Sequence, residues 1–235
     1  KNFSKWFGLK YVIVYFYNVY GPNQISEGYM SAVIGIFEKQ YKEKSVPWNY
    51  NDFDKDFHNF LRFHGPVEPR SKFYKDFTVI DLGCGNGSQA YHIEKLGFRV
   101  TGTDVVNALE YDIKNFVIDD ALDSKLTKKY DIIVDRGLIH NLFHLKDKRH
   151  KYFEMIGNII HDESYIVLKV LSPYEARFNP ATHSGPYRFN EKQLMEVFSG
   201  FDFKCIELKD TFFYSNIQPH LRGYFSVYKK EGDIN

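Results

Sequence analysis

The spacing of hydrophobic positions changes partway along the chain. Over residues 24–44, Ile25, Tyr29, Val33, Ile34, Phe37 and Tyr41 recur at intervals of three and four, which predicts an amphipathic helix that Pro47 ends. A second helical pattern over 51–64 carries Phe53, Phe57, Phe60 and Leu61, before Gly65-Pro66 and Pro69 break the chain. Beyond residue 75, short apolar runs alternate with helical segments. Strands are predicted over 77–82, 98–103, 116–118, 130–134 and 165–171, the last apolar throughout except for Lys169. Helices are predicted over 88–96, 150–160 and 190–199, the last opened by Asn190 as its cap. Strands alternating with helices imply a parallel sheet covered on both faces. Two late runs, 201–208 and 223–228, leave no room for a crossover helix between them and predict an antiparallel edge pair. The expected fold is therefore α/β: a doubly wound, mostly parallel seven-stranded sheet with an antiparallel C-terminal edge pair.

Length and charge narrow the classes. A chain of 235 residues suits one large domain with an extension, and the division expected is an N-terminal helical extension or lid over 1–72 and a main domain over 73–235. With 31 Lys+Arg against 30 Asp+Glu, no global charge draws it to nucleic acid or an anionic membrane. The apolar stretch 9–20 is interrupted by Lys10 and Asn18 and is about half the ~20 residues that span a bilayer. Gly21-Pro22-Asn23 reads as a turn rather than a cleavage site, so a cytoplasmic protein without a membrane span is expected. Two cysteines make neither a disulfide framework nor a Cys-rich zinc site. Aromatics are abundant, with 22 Phe and 18 Tyr, which weakens any single aromatic as a functional clue.

The chemistry concentrates in Val79-Ile80-Asp81-Leu82-Gly83-Cys84-Gly85-Asn86-Gly87. A strand ends in three glycines at a spacing of two, and a helix begins at once. Glycine allows positive φ and close approach of a ligand, and the helix N-terminus presents N–H groups suited to a carboxylate or phosphate. A dinucleotide fingerprint wants its third glycine at position 88, where this chain has Ser, so a nicotinamide dehydrogenase is the weakest rival. Asp104 closes the second strand, Asp120-Ala121 follows the third, and Asp135 closes the fourth.

Asp-x-Gly-x-Gly-x-Gly resembles the first motif of class I S-adenosylmethionine-dependent methyltransferases, which have a Rossmann-like fold. The resemblance implies S-adenosyl-L-methionine as cofactor. Its methionine part would be wrapped by Asp81, Gly83, Cys84, Gly85 and Gly87, its ribose held by Asp104 with Val105 beside it, and its adenine met by Asp120 and Ala121. Asp135-Arg136-Gly137 narrows this to the thiopurine S-methyltransferase group and its tellurite-resistance relatives, whose acceptors are small thiols, halides or selenium and tellurium species. The Pro-Pro-Tyr-type motif that grips a flipped base is absent, so no nucleic-acid partner is expected. Pro47-Trp48 lies where those relatives carry a tryptophan over the cofactor, with core burial as the alternative. His183-Ser184-Gly185-Pro186 resembles the flexible stretch bordering the acceptor. The likeness covers residues 46–230, while 1–45 match nothing and would form a lid or an interface, a homodimer included.

Methyl transfer from a sulfonium needs donor and acceptor held in line and water excluded, with no metal and no covalent enzyme nucleophile. For catalysis the chain offers Asp135 and His140; His144 lies on the same face as His140 if that segment is helical, with packing or capping as the alternative for the pair. Arg136, Arg149, His183 and Arg222 are candidate acceptor contacts, the alternative for Arg149 being a solvated basic face within 146–151. Two other readings stay open: methylation of protein or RNA, and a cofactor-binding module without turnover.

Overall fold

The computed structural model describes residues 35, 37–64, 76–143, 145–175 and 186–230. The chain divides into two compact units, Lys1–Phe37 and Glu38–Asn235. The second unit is the one with described architecture. Its helical residues 38–42 lead through a turn at 43–44 to Trp48, and residues 24–34 and 36 of the predicted 24–44 helix lie outside the described residues.

Helix α1 (Lys55–Asn59) is capped by Asp54, whose side chain accepts from the Asp56 N–H, and passes directly into a π-helical turn over Phe60–His64. Strand β1 (Thr78–Leu82) leads through the glycine loop into α2 (Ser88–Leu96). Strands β2 (Arg99–Asp104) and β3 (Phe116–Ile118) follow. Then come β4 (Ile132–Arg136), α3 (Leu138–Leu142), α4 (Arg149–Ile159) and β5 (Tyr165–Leu171). Helix α5 (Glu191–Glu196) opens with the Asn190 cap as predicted, reinforced by a reciprocal bond with Gln193. Two long strands, β6 (Phe203–Phe213) and β7 (Leu221–Lys230), end the sheet.

Seven strands form one sheet in the order β3-β2-β1-β4-β5-β7-β6. The first five run parallel, and β7 pairs antiparallel with both β5 and β6. The sequence-based architecture is what is observed. Winding reverses between β1 and β4, so their C-terminal ends open onto a switch-point crevice where ligands of α/β sheets bind.

One core, on the β1 face that carries Val79, joins Val100, Val134, Val167 and Phe225 to Ala90 and Ile93 of α2 and to Phe57, Phe60 and Leu61. The 51–64 segment is thus part of the main domain's core, covering one face of the sheet rather than standing outside it.

Candidate active site

The three loop glycines all adopt positive φ: 65° at Gly83, 56° at Gly85 and 83° at Gly87. Gly85 is the decisive one, because a Cβ there would stand 2.6 Å from the Tyr41 hydroxyl oxygen. The loop's own amides are largely committed. Cys84 N–H donates to the Thr103 carbonyl at 2.9 Å, Gly85 N–H to Asp104 Oδ2 at 2.9 Å, Gly87 N–H to the Cys84 carbonyl at 3.0 Å and Ser88 N–H to Asn86 Oδ1 at 3.2 Å. The cradle therefore supplies room and shape more than free donors.

Asp104 is drawn into that loop. Besides Gly85, it accepts from Val106 N–H at 3.0 Å on Oδ1. Burial raises its pKa while the Val106, Gly85 and Val105 amides oppose the rise. With these amides in place the carboxylate still has lone-pair capacity for a hydroxyl donor. The Asp119 N–H donates to the Asp104 carbonyl at 3.0 Å, which brings the ends of β2 and β3 together. Asp120 sits there half-buried, its Oδ1 accepting from Leu122 N–H at 2.9 Å, with Ala121 and Val105 also half-buried.

Asp81 is 2% exposed, and its Oδ2 has no hydrogen-bond partner among the described residues. Burial pushes its pKa up to about 7; Arg136 and the Ala90 N–H pull it down, and the carboxylates of Asp135 and Asp104 add to the rise. A buried carboxylate oxygen without a donor is costly unless a ligand pairs with it. Cys84 is no nucleophile: its Sγ lies 3.0 Å from where a Gly102 Cβ would be, and burial drives its thiol far up, so it stays protonated.

Trp48 packs edge-on against Tyr41, the ring centroids 6.3 Å apart, and its indole N–H bonds the Tyr41 hydroxyl. The Pro47 and Asn49 carbonyls both accept from Asn216 N–H, tying this segment to the β6–β7 turn. Tyr41 was legible only as an apolar helix position; its proximity to Gly85 is a long-range contact that no local pattern encodes.

Asp135 lies inside β4 rather than at its end and is fully buried. Its Oδ1 accepts from Leu138 N–H at 2.7 Å, and its Oδ2 accepts from Ile139 N–H at 2.9 Å and the Tyr152 hydroxyl at 2.8 Å. Burial pushes its pKa up to about 6 against these bonds. The carboxylate is committed to holding the β4–α3 turn, where Gly137 takes φ 93°. His140, buried in α3, accepts from Leu171 N–H on Nδ1 at 3.3 Å, which assigns its proton to Nε2. Its ring packs 5.5 Å from Phe213, and Nε2 is 2.9 Å from a Gly137 Cβ position.

Arg136 points to the other face, toward Asp54 (Nε to Oδ2, 3.4 Å), donates to the Tyr214 carbonyl, and stacks 4.5 Å over Phe213. Its strand neighbour Lys169 is 0% exposed, bonding Asp54 Oδ1 at 2.6 Å and also Asp56, which further accepts from Thr211 at 2.8 Å and pairs with Lys209 at 3.0 Å. Tyr50, Tyr214 and His220 form a half-buried aromatic group beside it, Tyr50 stacked on Tyr214 at 5.5 Å. Sequence reading missed this charged group. Its single local signal was a lysine in an otherwise apolar strand.

The remaining candidates do not join it. Arg149 is exposed at the start of α4 and stacks 5.0 Å from the Phe143 ring centroid. Arg222 projects from the opposite face of β7 to Phe225, half-exposed and paired with Asp210 at 2.7 Å. His183 and His144 lie outside the described residues. Among the described residues no group of three His, Cys, Asp or Glu side chains is placed to hold a metal ion, and no helix is long and apolar enough to cross a membrane.

A family model described as a methyltransferase domain matches residues 49–208, more than half of the chain. The chain belongs to this methyltransferase family. S-adenosylmethionine is the methyl donor that the motif and the fold together call for. Solved methyltransferase structures share the fold. A 1,6-didemethyltoxoflavin N1-methyltransferase from Burkholderia thailandensis superposes with a TM-score of 0.67 at 17% identity, covering 91% of this chain and 94% of that one. An S-adenosylmethionine-dependent methyltransferase from Anabaena variabilis gives 0.66 at 18% identity over 88% and 96% of the two chains. A protein solved for the conversion of a disulfide bond into a thioacetal group during echinomycin biosynthesis gives 0.65 at 16% identity over 86% and 94%. No curated protein matches the sequence significantly.

Proposed function

We propose that this methyltransferase carries the methyl group of S-adenosylmethionine to a small-molecule acceptor: a thiol or other soft nucleophile, or the oxygen or nitrogen of a metabolite. The observation that carries the reading is the buried Asp81 oxygen that no described residue pairs with, beside a glycine cradle walled by Asp104. A ligand that is cationic at one end and hydroxyl-bearing further along matches that order of groups.

When bound, the cofactor supplies a methyl group already activated on a sulfonium. The chain's own part is to place and to shield. Asp81 takes the ammonium, Asp104 the ribose hydroxyls, and the Asp120-Ala121 turn the adenine side. Asp135 acts through structure, fixing the Gly137 turn and so the floor between cofactor and acceptor. His140 presents its Nε2–H beside Gly137, and we assign it a hydrogen bond donated to the acceptor, orienting it rather than taking its proton. Arg136 and the Tyr50, Tyr214 and His220 rings wall the acceptor side. A small acceptor is favoured because the balanced charge supplies no field for a polyanion. Asp135-Arg136-Gly137 supports placing the chain near the thiopurine S-methyltransferase and tellurite-resistance group.

The test is release of S-adenosylhomocysteine across a panel of thiols, halides, selenite, tellurite and aromatic hydroxyls. Turnover with one class and none with purified RNA or protein is expected. Turnover on the macromolecules alone would overturn the reading of the acceptor.

A further inference from the structure

Tyr41 sits on the loop position that sequence reading left open for a ligand. The space a Gly85 Cβ would fill holds its hydroxyl oxygen at 2.6 Å and Asn49 Oδ1 at 3.9 Å. An indole N–H donates and cannot accept, so in the bond with Trp48 the phenol oxygen is the acceptor and keeps its own proton to give. Burial is the main cause that pushes the phenol up to about 12, with Asp104, Cys84 and Glu110 adding to it, so the group remains a neutral donor across physiological pH.

The amino-acid end of the cofactor carries two charges. Asp81 answers the ammonium. The carboxylate needs hydrogen-bond donors, and the amides of residues 84, 85, 87 and 88 are already spent within the chain. We infer that Tyr41 is a cofactor-site residue whose hydroxyl, oriented by Trp48 over Gly85, donates to the carboxylate of the methionine moiety. This rests on reading the crevice as the S-adenosylmethionine site, and it adds a donor that comes from the N-terminal helical residues rather than from the loop.

Two ligands separate this contact from the rest of the site. S-adenosylhomocysteine carries the amino-acid end, whereas 5′-methylthioadenosine has the same adenine, ribose and thioether without it. Calorimetric titration of the full chain should find Tyr41→Phe weakened about tenfold for S-adenosylhomocysteine, the size of one hydrogen bond to a charged group. Binding of 5′-methylthioadenosine should be unchanged, which also reports that the variant is folded. Trp48→Phe, which removes the N–H that orients the phenol, should shift the same ligand in the same direction by a smaller factor. The inference is overturned if Tyr41→Phe binds S-adenosylhomocysteine as well as wild type does, binds it more tightly, or loses both ligands alike. If neither ligand binds the wild-type chain, the reading of the crevice fails first and takes this inference with it.

Discussion

Asp81 shows how one side chain ties burial to function. Its pKa of about 7, raised chiefly by burial, means that the native chain holds a proton there that the unfolded chain has released. The stability contributed by this group is thus fully present below the ordinary value of 3.8 and is lost as pH rises through about 7. A bound ammonium favours the charged form, so binding expels the proton, and affinity for S-adenosylhomocysteine should climb from pH 6 to pH 8. Asp81→Asn should flatten that climb, and 5′-methylthioadenosine should show none; titrations at three pH values check both, and a full slope in the variant would contradict the role. Gly85→Ala has a different expected signature. With φ at 56° and a Cβ 2.6 Å from the Tyr41 oxygen, it should lose about 1–2 kcal/mol of stability from backbone strain alone, read from chemical denaturation, and bind S-adenosylhomocysteine less tightly. Asp104→Ala should cost about tenfold to a hundredfold in the same titration, because it removes the lock on Gly85 and, on the proposed reading, the acceptor for the ribose.

Between elements, the buried charges of Asp54, Asp56, Arg136 and Lys169 clamp α1 to the ends of β4 and β5. Lys169→Met should destabilise the chain by about 3–5 kcal/mol, because two carboxylates would stay buried around a missing cation. Thermal melting should show a fall of about 10 °C for a domain of this size, and a melt unchanged by the substitution would refute the clamp. The elements themselves were legible wherever the physics is local. Apolar runs marked the five parallel strands, Asn190 marked a helix start, and the glycines marked the tight turn from β1 into α2. What sequence missed depends on distant partners. Asp54 and Asp56 carry no local sign of their role, because the lysine that pairs with them is more than a hundred residues away. Asp135 read as a strand-end acid facing a ligand. Because β4 continues to Arg136 and α3 starts right after Gly137, its carboxylate instead meets the first amides of that helix. The edge pair also runs longer than its apolar pattern: β6 extends to Phe213 through Lys209 and Thr211, which alternate onto the face of the buried ion group.

For the molecule as a whole, the switch point between β1 and β4 collects the glycine loop, Asp104 and Asp81 on one side and Gly137, His140 and Arg136 on the other. On the proposed reading, donor and acceptor are held by different strands of one sheet, with Tyr41 and Asn49 lying against the glycine loop on the donor side. A ligand that fits only the folded crevice must stabilise the fold: at a hundredfold excess over its dissociation constant it adds about 2.7 kcal/mol, which raises the melting temperature by about 5–10 °C. The most direct test of the cofactor assignment is a calorimetric titration of the wild-type chain with S-adenosylhomocysteine at pH 8, beside the Asp104→Ala, Gly85→Val double variant. One site per wild-type chain and no measurable binding by the variant is the result expected; no heat from wild type, or equal binding by both chains, would contradict it.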